Sequence, residues 1–359
     1  MDFGLSDDQQ LLEKTLRGYL AEHAPITRVR ELREAGQVGD PALWKGLSEL
    51  GMAGVMVPEA QGGSGLGLLD AALVAQSLGH AASPTPFLAT GVMAPVALAA
   101  VGGPEAERWL AGIATGDARF GAALVERFSV REDAGVREQG GKLHGKALMA
   151  VDALGADFAL VWLPGDDLAV VRGDAAGLEA TRLATLDVTR DTSELVFDGV
   201  APEQVYRGAG AALDRCLDAG RVALAADALG ACESMLEQAV AYAQQREQFG
   251  RPIGSFQAVK HLCAEMVAEI EPARSLLWYA AHAFEALPDE APQLACHVLS
   301  HVSEIGREIA SVATQVHGGI GWTDEQNLHF WFKRIAVARH LLGGPELLRE
   351  RAAALQGLV

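Results

Sequence analysis

The sequence predicts an α+β chain that is mostly helical, with helices at both ends and strands in the middle. Apolar residues recur at helical spacing through the first third of the chain. At about Gly116 the pattern changes to short apolar runs, and the helical period returns from Ala211 to the end. We therefore predict an N-terminal helical domain over 1–115, a small β-domain over 116–205, and a C-terminal helical bundle domain over 206–359.

The N-terminal helices follow from local signals. Residues 6–9, Ser-Asp-Asp-Gln, form a capping box ahead of an apolar stripe, which predicts a helix start. A second predicted helix carries Trp44 and ends at Gly51, and a third runs over 68–79. The glycine-rich stretch 62–67 between them lacks the lysine of a phosphate-binding loop, so it is interpreted as a tight connection.

The middle of the chain shows a hairpin signal. Gly140-Gly141 separates two extended segments, 135–139 and 142–149. Further short β-like runs lie at 158–163, 168–171 and 193–197. These runs predict a small antiparallel sheet. The long helical patterns 222–242 and 294–316 then predict the bundle.

Composition narrows the function classes. The formal net charge of -18 argues against nucleic acid, since phosphate binding needs clustered basic residues. No apolar run has the length of a membrane span without polar interruption, and no signal sequence precedes the first helix, so we expect a cytoplasmic protein. The four cysteines have no metal-type spacing and are expected to be reduced. His297 and His301 lie four residues apart, but without further ligands they are expected to be ordinary helix histidines, so we predict no metal site.

Two C-terminal segments have the properties of a ligand site. The first is Arg-Glu-Gln-Phe-Gly-Arg-Pro-Ile-Gly-Ser-Phe-Gln over 246–257, and the second is Gln-Val-His-Gly-Gly-Ile-Gly-Trp over 315–322. An arginine at a helix end, next to the free N-terminus of another helix, can bind an anion. The alternative for the first segment is an exposed corner between two helices, and on its own the motif does not decide between the two.

Together the segments resemble the acyl-CoA dehydrogenase family, and the likeness covers essentially the whole chain. In that family the two segments hold the ADP half of FAD across a subunit interface. The resemblance therefore implies an FAD flavoprotein that introduces an α,β double bond into an acyl-CoA. It also implies that the C-terminal domain is a four-helix bundle and that the β-domain is shortened relative to the family. The residues matching the family's cofactor contacts are Arg246, Phe249, Gln257, Gln315, Gly318 and Gly319.

The segments that surround the flavin ring in the family do not match. Where the family has Thr-Glu-Pro-Gly-Ala-Gly-Ser-Asp, this chain has Val-Glu-Arg-Phe-Ser-Val over 125–130. Where the family has Trp-Ile-Thr-Asn-Gly, it has Leu148-Met149-Ala150-Val151-Asp152. The threonines and the stacking tryptophan are replaced, so we expect Val125, Leu148 and Ala150 to offer a flavin little hydrogen bonding in this subunit.

The catalytic glutamate of the family is also replaced. Counting on from Arg334, the position of the usual glutamate is Gly343. In the isovaleryl branch the glutamate precedes an arginine that matches Arg221, and that predecessor here is Gly220. We therefore predict no catalytic base at either position.

Three other acids are candidates to replace the missing catalytic glutamate. Asp227 lies two helical turns after Gly220 and is the strongest of them, while Asp218 points to nearly the opposite face. Glu346 follows a Gly-Gly-Pro turn. A pairing of Asp227 with a basic group of a packed helix, and a capping role for Glu346, are the favoured interpretations.

The resemblance suggests a particular variant of the family, the α2β2 heterotetramer made of two homologous subunits. One subunit then supplies the flavin pocket and the glutamate, and the other retains only the ADP contacts. This chain is expected to be the base-less partner, acting with a catalytic homologue on a bulky acyl-CoA of steroid type. Two alternatives stay open: a self-sufficient homo-oligomeric flavoenzyme that uses Asp227, and a non-enzymatic scaffold that binds acyl-CoA.

Overall fold

The computed structural model describes residues 4–129 and 131–359, with helices at both ends and strands between them. The N-terminal helices are α1 (Asp7–His23), α2 (Ile26–Glu34), α3 (Pro41–Glu49), α4 (Leu68–His80), α5 (Ala94–Val101) and α6 (Pro104–Thr115). The C-terminal helices are α7 (Gly210–Gln245), α8 (Gln257–Ala286), α9 (Ala291–His317), α10 (His329–Ala338) and α11 (Pro345–Leu355). The order confirms the predicted fold class.

The middle of the chain forms one sheet within the described residues. Its strands are β1 (Phe120–Ala123), β2 (Gly135–Gln139), β3 (Lys142–Val151), β4 (Phe158–Leu163), β5 (Asp167–Arg172), β6 (Leu178–Arg182), β7 (Thr192–Val200) and β8 (Gln204–Tyr206). The order across the sheet is β6-β7-β3-β1-β4-β5-β8, with β2 on β3. The β2–β3 pair is the predicted hairpin around Gly140-Gly141.

The prediction of a purely antiparallel sheet is wrong at one pair. β1 and β4 run parallel, with Phe120 opposite Phe158 and Ala123 opposite Val161. The β2–β3 hairpin is inserted between them in the chain, so β4 returns in the same direction as β1. A parallel pair needs such a crossover connection, and short-range sequence signals do not reveal it.

Helices α1, α3 and α4 are present as predicted, whereas α2, α5 and α6 were not predicted individually. Ser6 Oγ accepts the Gln9 backbone N–H at 3.2 Å, and Gln9 Oε1 accepts that of Ser6 at 3.1 Å, which closes the capping box of α1. Helix α2 was not predicted, because it buries only Val29 and Leu32 and is otherwise composed mostly of polar and charged residues.

The two helical regions meet where α4 crosses α7. A Cβ on Gly79 of α4 would lie 1.9 Å from the backbone oxygen of Asp227, and a Cβ on Gly230 of α7 would lie 1.9 Å from that of Gln76. Only glycine allows the two backbones to come this close. The crossing therefore fixes the N-terminal helices on the bundle, and both share one continuous apolar core.

The bundle is built around α7, α8 and α9, which pack against one another. The shorter α10 and α11 pack on α7 and α9. In the two described ranges, every helix is too short or too polar to cross a membrane. The domain limits after residues 115 and 205 stay predictions, and β8 (Gln204–Tyr206) runs across the second of them.

Candidate functional site

The structure brings the two candidate segments together through a ring contact. Tyr242, one turn before Arg246 in α7, stacks on His317 of α9 with ring centroids 4.7 Å apart and planes 26° apart. His317 lies between Gln315 and Gly318 in the second segment. We call the surface formed by residues 246–257 and 315–322 the clasp surface.

The first half of the clasp surface is a tight hairpin between two helices. Arg246 ends α7, with φ -72° and ψ 124°, and its backbone oxygen accepts the N–H of Ile253 at 2.7 Å. Between them, β9 (Glu247–Gln248) pairs with β10 (Arg251–Pro252). Phe249 and Gly250 form the two-residue turn, with φ of 54° and 73°. Such a turn favours glycine or asparagine, so an aromatic residue there is strained.

The side chains of this hairpin point outwards. Phe249 is 93% exposed. Its positive φ is also uncommon for a bulky side chain. Arg246 is exposed, and its guanidinium makes no ion pair or hydrogen bond within 4–129 and 131–359. Arg251 instead lies over the ring of Phe256, 4.1 Å from its centroid. Arg246 is thus free to receive an anionic group from outside the chain.

The remaining members of the clasp surface offer open backbone. Gln257 is the first residue of α8, and no side chain caps that helix start. Gln315 is exposed in the last turn of α9. Gly318, with φ 68°, and Gly319 have no atom within 4 Å of a Cβ position. Glycine at these two positions leaves room for another molecule to approach the backbone closely.

The residues present fit the ADP part of FAD but not its ring. A free arginine beside the uncapped N-terminus of α8 suits a pyrophosphate. In the β-domain, Val125 and Ala150 are buried, and the Leu148 N–H is already bound to Glu126 Oε1 at 2.7 Å. Val125 and Ala150 therefore offer a flavin ring no exposed surface, and Leu148 offers it no free backbone N–H. Val130, the last residue of the compared segment, lies outside the described residues.

The first base position is packed with apolar side chains. A Cβ on Gly220 would lie 3.0 Å from Leu342 Cδ1 and 3.1 Å from both Met93 Cγ and Met93 Sδ. Met93 and Leu342 are 0% and 2% exposed. The space where a glutamate side chain would begin is therefore filled from α7's neighbours.

The second base position is closed by its backbone as well. Gly343 has φ 107°, a conformation that residues with a side chain rarely adopt, and its Cβ would lie 3.2 Å from Leu348 Cδ2. The preceding Leu342 offers its backbone oxygen to Arg221 Nε at 3.1 Å. Arg221 is fully buried and also donates to Asp218 Oδ1 at 2.7 Å.

Asp227 is held by two arginines. Arg334 of α10 donates from Nε to Asp227 Oδ1 at 2.8 Å and from Nη2 to Oδ2 at 2.6 Å. Arg190, in the loop before β7, donates to Asp227 Oδ1 at 2.8 Å. Burial raises the pKa of Asp227, but Arg334 and Arg190 outweigh burial and leave the pKa below its usual value. A carboxylate in this setting is a weak proton acceptor.

The other two acids are also committed to arginines. Asp218 is buried against Arg221; burial raises the pKa of Asp218, and Arg221 opposes the rise. Glu346 lies in the first turn of α11 with Arg339 Nη2 3.3 Å away and makes no side-chain cap hydrogen bond. The sequence did not identify Arg190, Arg334 or Met93 as functional neighbours, because nothing in the local sequence places them next to Asp227 or Gly220.

A large cleft lies elsewhere on the molecule. It has a volume of about 630 Å³ and is lined by α1, α4, α7 and α8, and none of the sequence-predicted site residues faces it. At its floor, the buried Glu233 binds Arg17 at 2.6 Å and Arg274 at 2.7 Å. No residue of the clasp surface lines this cleft, so the candidate site and the cleft are separate.

Comparison with known proteins gives the family. Residues 6–117 match the acyl-CoA dehydrogenase N-terminal domain, and residues 207–355 match the acyl-CoA dehydrogenase C-terminal domain. The chain is 33% identical over 345 residues to acyl-CoA dehydrogenase IpdE2 of Mycobacterium tuberculosis (strain ATCC 25618 / H37Rv), covering 96% of each.

Solved structures agree over nearly the full length. The ChsE4-ChsE5 complex from Mycobacterium tuberculosis matches with a TM-score of 0.89 and 26% identity, covering 100% of each chain. A variant of the Tcur3481-Tcur3483 steroid ACAD matches with a TM-score of 0.86 and 30% identity, covering 98% of each. The chain belongs to the acyl-CoA dehydrogenase family, whose enzymes are oxidoreductases acting on CH–CH bonds.

The packing at Gly220 predicts that a glutamate cannot simply be restored there. Gly220→Glu should lower the free energy of unfolding by about 3–5 kcal/mol, the scale for an uncompensated buried charge. Urea unfolding of the purified protein measures this. Gly18→Glu is the matched control, since Gly18 is an exposed helix residue with no atom within 4 Å of its Cβ position. Equal stability of the two variants would contradict the closed site.

Proposed function

We propose that this chain is the base-less subunit of a heteromeric, FAD-dependent acyl-CoA dehydrogenase. The observation that carries the proposal is the contrast between two places in one molecule. Gly220 and Gly343 lie against buried apolar side chains, whereas Arg246 and Phe249 are exposed. The two base positions are thus blocked by packing, whereas the clasp surface is accessible to a neighbouring subunit.

In this proposal the clasp surface binds the ADP half of FAD held mainly by a homologous partner subunit in an α2β2 assembly. Arg246 pairs with pyrophosphate oxygens, and Phe249 and Gln257 flank the adenosine. Gln315 and the backbone of Gly318 and Gly319 complete the contact. When bound there, FAD would supply the acceptor for a hydride from the acyl-CoA β-carbon, and the base that takes the α-proton would belong to the partner.

The nature of the partner and substrate is supported by the relatives. ChsE4-ChsE5 is a complex of two subunits, and Tcur3481-Tcur3483 is described as a steroid ACAD. A homologous partner and a bulky acyl-CoA of steroid type are therefore the finer assignments we propose. A cytoplasmic location belongs to the same proposal, consistent with cysteines that are all free in the described residues.

The two alternatives differ in what they require of the chain. A self-sufficient enzyme would need Asp227 as its base, yet that carboxylate already binds Arg190 and Arg334. A non-enzymatic scaffold would need neither the clasp surface nor a partner that turns over substrate. Cofactor content and turnover separate all three.

The first test is cofactor content. Because the Leu148 N–H is taken and Val125 and Ala150 are buried, the chain alone should purify with little FAD. Its complex with the homologous partner should hold about one FAD per two chains. Flavin absorbance per chain, after the protein is quantified by amino-acid analysis, measures this. Purification of the chain alone with one tightly bound FAD per chain would refute the heteromeric function.

The second test concerns Arg246. Arg246→Ala should weaken FAD binding to the complex by roughly 1.5–3 kcal/mol, the scale of a charge-assisted hydrogen bond. Release of FAD, followed by its fluorescence during dilution, gives the dissociation constant. Arg137→Ala, at an exposed position of β2, is the control and should leave that constant unchanged. FAD affinity that is unaltered in Arg246→Ala would remove the main residue assignment.

The third test concerns Asp227. In the complex, Asp227→Asn should leave kcat nearly unchanged and lower stability by about 3–5 kcal/mol, because two buried arginines lose their charged partner. If Asp227 were the base, kcat would instead fall roughly 10²–10⁴-fold. Turnover of a bulky acyl-CoA with an artificial electron acceptor distinguishes these results. A collapse of kcat in a variant that remains folded would favour the self-sufficient enzyme.

A further inference from the structure

The loop that follows the second half of the clasp surface is bound to helix α2. Asp324 lies two residues after Trp322, and its carboxylate accepts hydrogen bonds from Arg30 and Arg33, two of the three arginines of that helix. Arg33 Nη1 lies 2.6 Å from Asp324 Oδ1 and Arg33 Nη2 lies 3.0 Å from Oδ2. Arg30 Nη1 lies 2.8 Å from Oδ2. One exposed carboxylate thus holds two guanidinium groups from the opposite end of the chain.

The same arginines hold the backbone and the rest of the loop. Arg30 Nη2 donates to the Asp324 backbone oxygen at 2.6 Å and to Asn327 Oδ1 at 2.7 Å. Both guanidinium groups lie over the ring of Phe330, at 5.6 and 5.5 Å from its centroid. His329 Nε2 lies 2.9 Å from Asp324 Oδ1. We call the contacts of Arg30 and Arg33 with Asp324 the loop anchor.

The loop anchor is poorly explained as a source of stability. The Asp324 side chain is 59% exposed, and exposed ion pairs contribute little to the free energy of folding. Hydrogen bonds from Arg33 and Arg30 hold the pKa of Asp324 well below its usual value, so the carboxylate is charged at every working pH. What the anchor does fix is position, since two planar groups bind one carboxylate and its own backbone oxygen.

The segment that the anchor fixes is rich in glycine. Gly318, Gly319 and Gly321 lie between α9 and Trp322, whose side chain is 77% exposed. Such a segment has many accessible conformations, and ordering it on binding costs free energy. At its start it is held by the Tyr242–His317 stack, and at its end by the loop anchor.

We propose that Arg30 and Arg33 are positioning residues, which hold Asp324 so that the segment 318–322 is pre-ordered for the ADP part of the partner's FAD. This role rests on the proposed function of the clasp surface. It assigns to α2, in the N-terminal helical region, an effect on a cofactor that α2 itself does not touch. Loss of the anchor then weakens FAD binding through the ordering of the segment, while Arg246 and Gln315 remain in place.

The test uses the complex with its partner and four variants. Asp324→Asn and Arg33→Gln should each raise the dissociation constant of FAD by roughly 3–10-fold, the size that pre-ordering of a short segment contributes. The double variant should show little further loss, because both substitutions remove the same interaction. Arg33→Lys keeps the charge and should recover part of the affinity. Additive losses in the double variant would overturn the coupling of the two residues.

A matched control lies on the same helix. Arg28 of α2 binds Asp40 at 2.8 Å and Glu31 at 3.4 Å, away from the clasp surface. Arg28→Gln should leave FAD binding unchanged. Thermal unfolding of all variants without added FAD checks that affinity, and not folding, has changed. If Arg28→Gln weakens FAD as much as Arg33→Gln, the effect is a general one of α2 and the positioning role is refuted.

Arg246→Ala in the same series separates the two proposals. Weaker FAD binding in Arg246→Ala, with none in Asp324→Asn or Arg33→Gln, refutes the positioning role and leaves the clasp surface intact. Unchanged binding in all three variants refutes the clasp surface itself. Weaker binding in all three, with Arg28→Gln unchanged, is the expected result.

Discussion

The ion triad of Asp227, Arg190 and Arg334 is the interaction on which the arrangement of the three regions depends. Asp227 lies on α7, Arg334 on α10, and Arg190 in the loop of the β-domain before β7. The N-terminal α4 reaches the same place, since the backbone of Asp227 lies directly against Gly79. A single buried residue therefore contacts both helical regions and the sheet.

A buried triad of this kind sets geometry more than it adds stability. Removing charges from water costs about as much as their attraction returns, so a well-packed apolar substitute can be as stable. The triad has further fixed neighbours, because Arg334 Nη1 also donates to Thr189 Oγ1 at 2.6 Å. The planar guanidinium of Arg334 can satisfy the carboxylate and the hydroxyl only in one orientation, which fixes the β-domain loop on the bundle.

The triad also decides the chemistry available to this chain. It pairs Asp227, the strongest of the three candidate acids, with two arginines, and Asp218 is paired with Arg221. Met93 and Leu342 then fill the remaining space. The chain belongs to a family of oxidoreductases. In the described residues, however, each of the three candidate bases, Asp227, Asp218 and Glu346, is paired with an arginine. The chain thus lacks the family glutamate, and apolar side chains occupy the space that this glutamate would need.

The elements that local sequence signals specify were predictable, and those set by distant contacts were not. The hairpin at Gly140-Gly141 and the capping box at Ser6 each depend on a few adjacent residues, and both are present. The parallel pairing of β1 with β4 depends on a crossover. The partners of Asp227 lie 37 and 107 residues away in the chain, so no local pattern identifies them.

The candidate site divides in the same way. Its two segments are recognisable motifs, whereas the stack of Tyr242 on His317 that joins them is a tertiary contact between α7 and α9. The loop anchor could not be predicted either, since Arg30 and Asp324 are separated by 294 residues and Arg30 lies in a helix that was not predicted. The roles of the clasp residues stay predictions, because they depend on a molecule outside the chain.

The proposed function explains why the clasp surface is exposed while the two base positions are filled by packing. Under the proposed function, residues that hold a neighbour's cofactor must remain on the surface and free of internal partners, and Arg246 meets both conditions within the described residues. Residues that line a chain's own acyl pocket have no such requirement once a partner performs the chemistry, so apolar packing can replace them. Phe249 and Trp322 illustrate the first condition, because large rings at 93% and 77% exposure are unfavourable unless another surface covers them. Met93 against Gly220 illustrates the second, since filling that space adds buried apolar area that an open pocket would lose. The two conditions act on separate parts of the same fold, which is why one can change while the other is kept.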